Sequence, residues 1–298
     1  MLKKIVIAGG TGFIGKYLTD QFQKLGYHLL IISRQEKCIP WNNEKAIIHA
    51  LENAELLINL AGKSVDCRYN EKNREEILKS RTETTRILGE AVMKCARPPE
   101  LWINSSTATI YRHAEDKPMT DSTGEIGTGF SVDVAKNWER VFFEFQLPNT
   151  RQIALRIAIV LGEEGGVMKP FINLVRFGLG GIQGNGNQMF SWIHIEDLYR
   201  IIIFLKTHKN LKGVFNCAAP NPVDNRTWMK SIRQTMGIKI GLPSPTWLLK
   251  IGAVMIKTET ELILKSRWVI PEKLVQLGYN FKYPTVDAAL ANILHREK

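Results

Sequence analysis

Apolar runs and helical patterns alternate through the first half of the chain. Short runs rich in Ile, Leu and Val predict strands, and segments with apolar residues at i, i+3 and i+4 predict amphipathic helices. The predicted strands are 3–8, 28–32, 56–61, 101–104 and 152–161, and the predicted helices are 13–25, 45–53, 70–95 and 130–145. Such alternation is typical of an α/β fold with a doubly wound parallel sheet that is covered by helices on both faces.

The pattern changes after Gly162. Glycines recur from 165 to 186, so this segment cannot form one long regular element. A helix is predicted at 196–205 and a further strand of the sheet at 213–217, whereas the chain beyond Pro220 has the pattern of a small, mainly helical unit. We therefore expect a larger domain, residues 1–165 with 190–218 returning to it, and a smaller C-terminal cap, residues 166–189 and 219–298.

The composition is that of an ordinary folded protein, with 44% hydrophobic and 23% charged residues among 298. The formal net charge is +11, but the 40 Lys and Arg residues are spread along the chain and form no basic block. We therefore expect no nucleic-acid partner. The positive charge would instead attract phosphate-bearing small molecules.

The cysteines lie far apart, and none has the C-x-x-C spacing of a zinc or redox site; they are Cys38, Cys67, Cys95 and Cys217. No metal site and no disulfide framework are predicted, which favours the reducing cytoplasm. The apolar stretch 247–256 is far shorter than the ~20 residues that span a bilayer. We therefore expect no membrane association and interpret this stretch as a buried helix.

Glycines at three-residue spacing follow the first predicted strand. Gly9 permits a sharp turn, Gly12 has no Cβ to obstruct a phosphate, and Gly15 allows the next helix to pack closely on the strand. The N-terminus of that helix then faces the anion. The motif predicts binding of a dinucleotide pyrophosphate by Gly9, Gly10, Thr11, Gly12, Phe13, Ile14 and Gly15.

The second predicted strand ends in Ser33-Arg34, where NAD-binding sites usually carry a carboxylate for the ribose 2′-hydroxyl. A guanidinium there would pair with the 2′-phosphate of NADP(H). The carboxylate of Glu36 is close enough that NAD is still possible as the less favoured cofactor. Arg34 could also be an ordinary surface residue. The third strand ends in small residues that would let the backbone pass beneath the adenine ribose, namely Leu60, Ala61 and Gly62.

These motifs occur with others in an order that is similar to a known family. The chain contains GGTGFIG at 9–15 and INLAG at 58–62, and further matching segments at 104–111, 155–157, 180–188, 191–198, 216–220 and 271–284. Over nearly its whole length it resembles the atypical extended short-chain dehydrogenase/reductases named epimerase family proteins. The resemblance implies a Rossmann fold, a nicotinamide cofactor and a small polar substrate, with nucleotide sugars among the candidates.

The resemblance also implies a catalytic set of a Ser or Thr hydroxyl, a Tyr, and a Lys four residues after the Tyr. Thr107 takes the place of the hydroxyl. Alignment of the helix on Glu139 puts Ser131 at the tyrosine position and Ala135 at the lysine position. Lys136 is one residue late and lies about 100° around the helix from the expected direction. The usual Tyr/Lys pair is therefore absent.

Three explanations remain open for the altered helix. Tyr111, four residues after Thr107, could supply a phenol, or Asp133 could act as the acid or base, or the chain could have no catalysis. Tyr111 could equally be a packed side chain and Asp133 an exposed helix residue. Lys136 could still reach a ribose or phosphate. The candidate catalytic residues are Thr107, Tyr111, Asp133 and Lys136.

The sequence is compatible with two functions that belong to different classes. One is an NADP(H)-dependent oxidoreductase or epimerase with a small-molecule substrate, and the other is a non-catalytic protein that senses NADPH. The sequence does not decide whether the chain forms a homodimer. Arg68 and Arg81 are further candidates to hold phosphate or carboxylate groups, although Arg81, on a predicted helix, could equally be solvated.

Overall fold

The structure is a computed structural model that describes residues 3–244 and 265–295. The strands are β1 Lys4–Ala8, β2 His28–Ile32, β3 Leu56–Asn59, β4 Leu101–Thr107, β5 Arg151–Ile157, β6 Ile159–Gly162, β7 Gly165–Gly166, β8 Met189–Phe190, β9 Trp192–His194, β10 Gly213–Cys217 and β11 Val223–Asp224. The helices are α1 Phe13–Lys24, α2 Glu44–Leu51, α3 Glu71–Lys94, α4 Phe130–Phe143, α5 Met168–Arg176, α6 Ile195–Thr207, α7 Asn225–Thr235, α8 Glu272–Gln276 and α9 Val286–His295.

Six strands form one parallel sheet in the order β10-β5-β4-β3-β1-β2. On β1, Ile5 lies opposite Leu29 of β2 and Leu56 of β3. Strand β2 therefore lies on one side of β1 and β3 on the other, so the chain reverses direction across the sheet at β1. In an open α/β sheet, ligands bind at such a reversal, outside the carboxyl ends of the strands.

Both faces of the sheet are buried, which confirms the predicted doubly wound α/β fold. Ile5 and Ile58 belong to an apolar cluster that includes Leu18 of α1 and Leu198 of α6. The neighbouring strand positions face the opposite side, where they join residues of α2, α3 and α4 in a second cluster. A strand that is buried on both faces has a continuous apolar run, which is why the sequence pattern identified these strands.

The predicted strand 152–161 is wrong as a single element. The N–H of Ala158 donates to the carbonyl of Cys217 at the end of β10, whereas the N–H of Ile159 donates to the carbonyl of Ser191 before β9. Strand β5 therefore stays in the main sheet, and β6 joins a three-stranded sheet with β7 and β9. The apolar run could not reveal this change of partner because both halves are buried.

A third apolar cluster joins α5, α7 and α9, from the segments expected in the cap, to Leu161 and Trp192, from the segments expected in the larger domain. Leu274 of α8 and Phe281, both within the segment expected in the cap, pack instead with a face of the main sheet. The predicted helix 247–256 lies outside the described residues. Within residues 3–244 and 265–295, no helix is both long and apolar enough to cross a membrane.

Candidate functional site

The glycine turn after β1 packs directly against the loop after β3. Gly9 has a φ of +76°, and a Cβ there would lie 2.7 Å from the backbone N of Ala61. Asn59 holds this loop in place, because its Oδ1 accepts from the N–H of Ala61 at 3.0 Å and its side chain is fully buried. The N–H of Leu60 also donates to the carbonyl of Ala8. The two glycine-containing loops thus meet where the order of the sheet reverses.

Gly12 and Gly15 serve different purposes in this turn. Gly12 precedes α1 without a side-chain cap, and a Cβ on it would meet nothing within 4 Å. Open space therefore lies at the N-terminus of α1, where unpaired N–H groups favour an anion. The sequence predicted that Gly15 lets the helix pack closely on the strand. A Cβ on Gly15 would lie 2.5 Å from the carbonyl carbon of Gly10, so the close contact is instead with the turn. This cradle fits a pyrophosphate.

The other predicted cofactor residues surround the turn. Thr11 and Ser33 bring their hydroxyl oxygens within 3.4 Å of each other, and Ser33 is 5% exposed. Arg34 follows β2 at the same edge of the sheet with its side chain exposed. Phe13 packs against the β6–β7 hairpin, since a Cβ on Gly165 would lie 2.7 Å from its ring. Phe13 therefore fixes α1 against this hairpin.

Thr107 ends β4, at the same edge of the sheet as the glycine turn. Its Oγ1 accepts from the N–H of Thr109 at 3.1 Å, which leaves the hydroxyl proton able to donate to a ligand. Asp133 and Lys136 are both exposed on α4. Ala135, at the position of the family lysine, is fully buried. Roles in catalysis for Thr107, Asp133 and Lys136 stay predictions.

Tyr111 lies in a buried polar network and is 1% exposed. Its hydroxyl accepts from Arg156 Nη1 at 2.9 Å and lies 2.8 Å from Asn216 Oδ1, to which it can donate. Burial raises the pKa of Tyr111, so the phenol is protonated at neutral pH. A catalytic role for Tyr111 stays a prediction, and in this arrangement its proton is engaged within the protein.

The ion pair that supports this network is not apparent from the sequence. Arg156 of β5 and Glu139 of α4 join at 2.7 Å, and Ser106 donates to Glu139 Oε1 at 2.6 Å. Because the pair is partly buried, removal of one partner would leave the charge of the other poorly solvated. The available signal was an arginine between two apolar residues within the predicted strand 152–161, Leu155-Arg156-Ile157.

A cavity of about 220 Å³ lies at the opposite, amino-terminal edge of the sheet. Its walls include the ion pairs Lys206–Glu55 and Lys209–Glu100. Arg151, at the start of β5, lies there too, and its Nη1 donates to the carbonyl of Leu211. This polar cavity is separated by the sheet from the glycine turn and from Thr107. Within the described ranges, no group of three or more potential metal-ligating side chains occurs.

Comparison with known proteins gives matches over the whole chain. The profile of the NAD dependent epimerase/dehydratase family matches residues 5–218, and a domain of unknown function, DUF1731, matches residues 244–293. Human epimerase family protein SDR39U1 is 31% identical over 298 residues, which cover 98% of this chain and 99% of the human protein. Epimerase family protein YfhF of Bacillus subtilis is 30% identical over 306 residues, which cover 99% of each protein.

Solved structures are also similar to this chain along its whole length. The crystal structure of human SDR39U1 with NADPH is similar with a TM-score of 0.88 and 29% identity, over 98% of this chain and 99% of that chain. That of the nucleoside-diphosphate sugar epimerase from Corynebacterium glutamicum has a TM-score of 0.81 and 27% identity, over 100% of this chain and 59% of that chain. Because the family profile spans most of the sequence and relatives match it from end to end, the chain belongs to the NAD dependent epimerase/dehydratase family.

Proposed function

We propose that the chain binds NADP(H) and is an oxidoreductase or epimerase for a small polar substrate, with nucleotide sugars as the first class to test. The observation that carries the proposal is the glycine cradle, in which Gly9 packs on Ala61 and open space lies before Gly12. The NADPH in the structure of human SDR39U1 supports the cofactor. The name of the Corynebacterium glutamicum epimerase supports the substrate class.

Arg34 favours NADP(H) over NAD. Its guanidinium follows β2, where a 2′-phosphate would be recognised, and the carboxylate of Glu36 lies two residues further on. We expect Arg34→Ala to weaken NADPH binding by roughly tenfold or more and NADH binding little, since a charge-assisted bidentate contact contributes about 1.5–3 kcal/mol. Titration of the reduced-nicotinamide fluorescence measures both affinities. Arg97→Ala, an exposed arginine outside the site, is the matched control.

Bound NADP(H) would supply a nicotinamide that accepts or donates a hydride. Thr107 would donate its hydroxyl proton to the substrate oxygen and so hold that oxygen near the nicotinamide. We expect Thr107→Val to abolish turnover and to leave NADPH affinity unchanged, while Thr107→Ser keeps turnover. Assays with a panel of nucleotide sugars, followed at the absorbance of the reduced nicotinamide or by product chromatography, test this role.

A non-catalytic NADPH sensor is the second candidate, because Ser131 and Ala135 stand where the family has Tyr and Lys. The fully engaged hydroxyl of Tyr111 adds support. A sensor binds NADPH without turnover of any substrate in the panel, and its affinity for a partner protein differs between the reduced and oxidised cofactor. Turnover that depends on Thr107 excludes the sensor, and absence of NADPH binding at millimolar concentration excludes both functions.

A further inference from the structure

Arg81 of α3 carries a guanidinium that lies against the loop after β3. A Cβ on Gly62 would lie 3.0 Å from Arg81 Cζ, so the guanidinium occupies the space in front of that glycine. Its Nη1 donates to the carbonyls of Lys63 at 3.1 Å and Ile77 at 3.0 Å. Gly62 directly follows Ala61, the residue on which the glycine turn packs. Arg81 therefore lies beside the proposed cofactor site.

This cation has no acidic partner among the described residues. Both hydrogen bonds go to neutral carbonyls, and the Cζ atom lies 5.1 Å from the centroid of the Trp138 ring. Burial lowers the pKa of Arg81 to about 10, which leaves the group charged at neutral pH. A partly desolvated charge without a counter-ion costs stability, and an anionic or hydroxyl-bearing ligand would offset that cost.

The direction of α3 explains why Arg81 reaches this edge of the sheet. Strands β3 and β4 are parallel, so the helix that connects them runs back along the sheet and begins at the carboxyl edge. Helix side chains lean toward the helix N-terminus. The hydrogen bond of Arg81 to the carbonyl of Ile77, one turn earlier, has this direction. The guanidinium therefore lies at the carboxyl edge of the sheet, between the loop after β3 and Trp138 of α4.

The same space adjoins the face of α4 that lacks its family cation. Ala135, at the lysine position, is fully buried, and Trp138 follows one turn later on the same face. Trp138 is the ring over which Arg81 lies. Lys136, by contrast, is exposed. A cation from α3 thus stands close to the helix face from which a lysine is absent.

We propose that Arg81 binds the ribose and phosphate on the nicotinamide side of NADP(H), in place of the missing lysine of α4. The inference rests on the proposed cofactor binding. A guanidinium presents several donors in a planar fork, so it can keep its carbonyl partners and still bind a phosphate or a ribose hydroxyl. The loop that contains Gly62 was expected beneath the adenine ribose, and from that loop the Arg81 guanidinium reaches Trp138 of α4, so we place its ligand on the nicotinamide side of the pyrophosphate. Arg34 lies after β2, on the other side of β1, and would act on the adenosine side.

Two ligands separate these roles. NADPH contains both halves of the dinucleotide, whereas adenosine 2′,5′-bisphosphate contains only the adenosine side with its 2′-phosphate. Isothermal titration calorimetry with Arg81→Met should show roughly tenfold or greater weakening for NADPH and less than about twofold for the bisphosphate, as expected for loss of a charge-assisted contact. Arg34→Ala should weaken both ligands. Arg86→Met, an exposed arginine on α3, should change neither.

Each outcome decides the inference. Unchanged NADPH affinity in Arg81→Met, with only its stability reduced, shows a structural arginine and overturns the proposal, as does an equal loss for both ligands. Arg81→Lys restores NADPH binding if the cation is what matters. Arg81→Gln, whose amide can still donate to a carbonyl, replaces Arg81→Met where the latter does not fold. Failure of the wild-type chain to bind NADPH refutes the proposed function itself, and with it this inference.

Discussion

The contact between Gly9 and Ala61 gives a quantitative prediction for Gly9→Ala. At a φ of +76°, an L side chain costs about 1–2 kcal/mol. The new Cβ would also lie 2.7 Å from Ala61 N and 2.8 Å from Ala61 Cα. Backbone atoms cannot rotate away as a side chain can, so this overlap adds about 1–3 kcal/mol, the usual cost of overpacking. We expect a total loss of about 2–5 kcal/mol in the free energy of unfolding.

Gly26 provides a matched control within the same domain. Its φ is +79°, but a Cβ there would meet nothing within 4 Å. Gly26→Ala should therefore lose only the conformational part, about 1–2 kcal/mol. Urea unfolding without cofactor measures the free energy of unfolding of both variants. The comparison is valid where the slope of that free energy against urea concentration is the same as in the wild type. Equal losses in the two variants would refute the close approach of the two loops.

Three further predictions concern other parts of the molecule. Gly12→Ala should change the free energy of unfolding by less than about 1 kcal/mol, because its Cβ meets open space, yet it should weaken NADPH in a fluorescence titration; unchanged affinity would mean that no phosphate lies there. Tyr111→Phe leaves the Arg156 donor without this partner and should cost about 1–3 kcal/mol in urea unfolding, whatever its effect on turnover; a neutral result would contradict the network. Burial alone would raise the pKa of Glu196, but Lys282 and the hydroxyl of Tyr283, with the charge of His194, together outweigh burial and lower that pKa below the ordinary 4.5. The stabilisation by the pair is then complete above pH 4.5 and is lost as the pH falls through the lower folded-state value. Glu196→Gln should be less stable than wild type by up to about 1 kcal/mol at pH 7, with the gap narrowing as the pH falls below 4.5; a gap that stays constant through the acid range would contradict the assignment.

Much of the fold follows from local patterns. Four of the six main-sheet strands, β1, β2, β3 and β10, lie within predicted apolar runs, because strands buried on both faces exclude polar residues. Strand β5 begins one residue before its predicted run, and β4 continues three residues beyond the predicted end at 104. The helices α1 to α4 and α6 followed from their apolar spacing to within two residues at each end, whereas no bounds were predicted for α5, α7, α8 and α9. The end of β5 did not follow, since the change of hydrogen-bond partner at Ala158 leaves no mark on hydrophobicity. Packing of Phe281 on the main sheet likewise depends on contacts between distant segments.

The candidate site likewise has some features that the sequence predicts and others that it does not. The glycine spacing identified the turn because backbone conformation restricts residue type at Gly9 directly. The polar partners of Tyr111 were not predictable, because Asn216 is more than one hundred residues away in sequence. Arg81 was ambiguous on its helix, since a solvated and a buried arginine have the same spacing. Only its position against Gly62 and Trp138 distinguishes them.

The sequence by itself determined the doubly wound sheet, the glycine turn and the absence of a Tyr/Lys pair on α4. These features depend on residue type and spacing over short stretches, where steric limits and helix geometry act. The tertiary structure decided which charged groups are paired and which are not. It enclosed the Tyr111 hydroxyl in a network and left the Arg81 guanidinium without a counter-ion among the described residues. Burial and pairing arise from the meeting of α3, α4 and the loop after β3, which no single segment encodes.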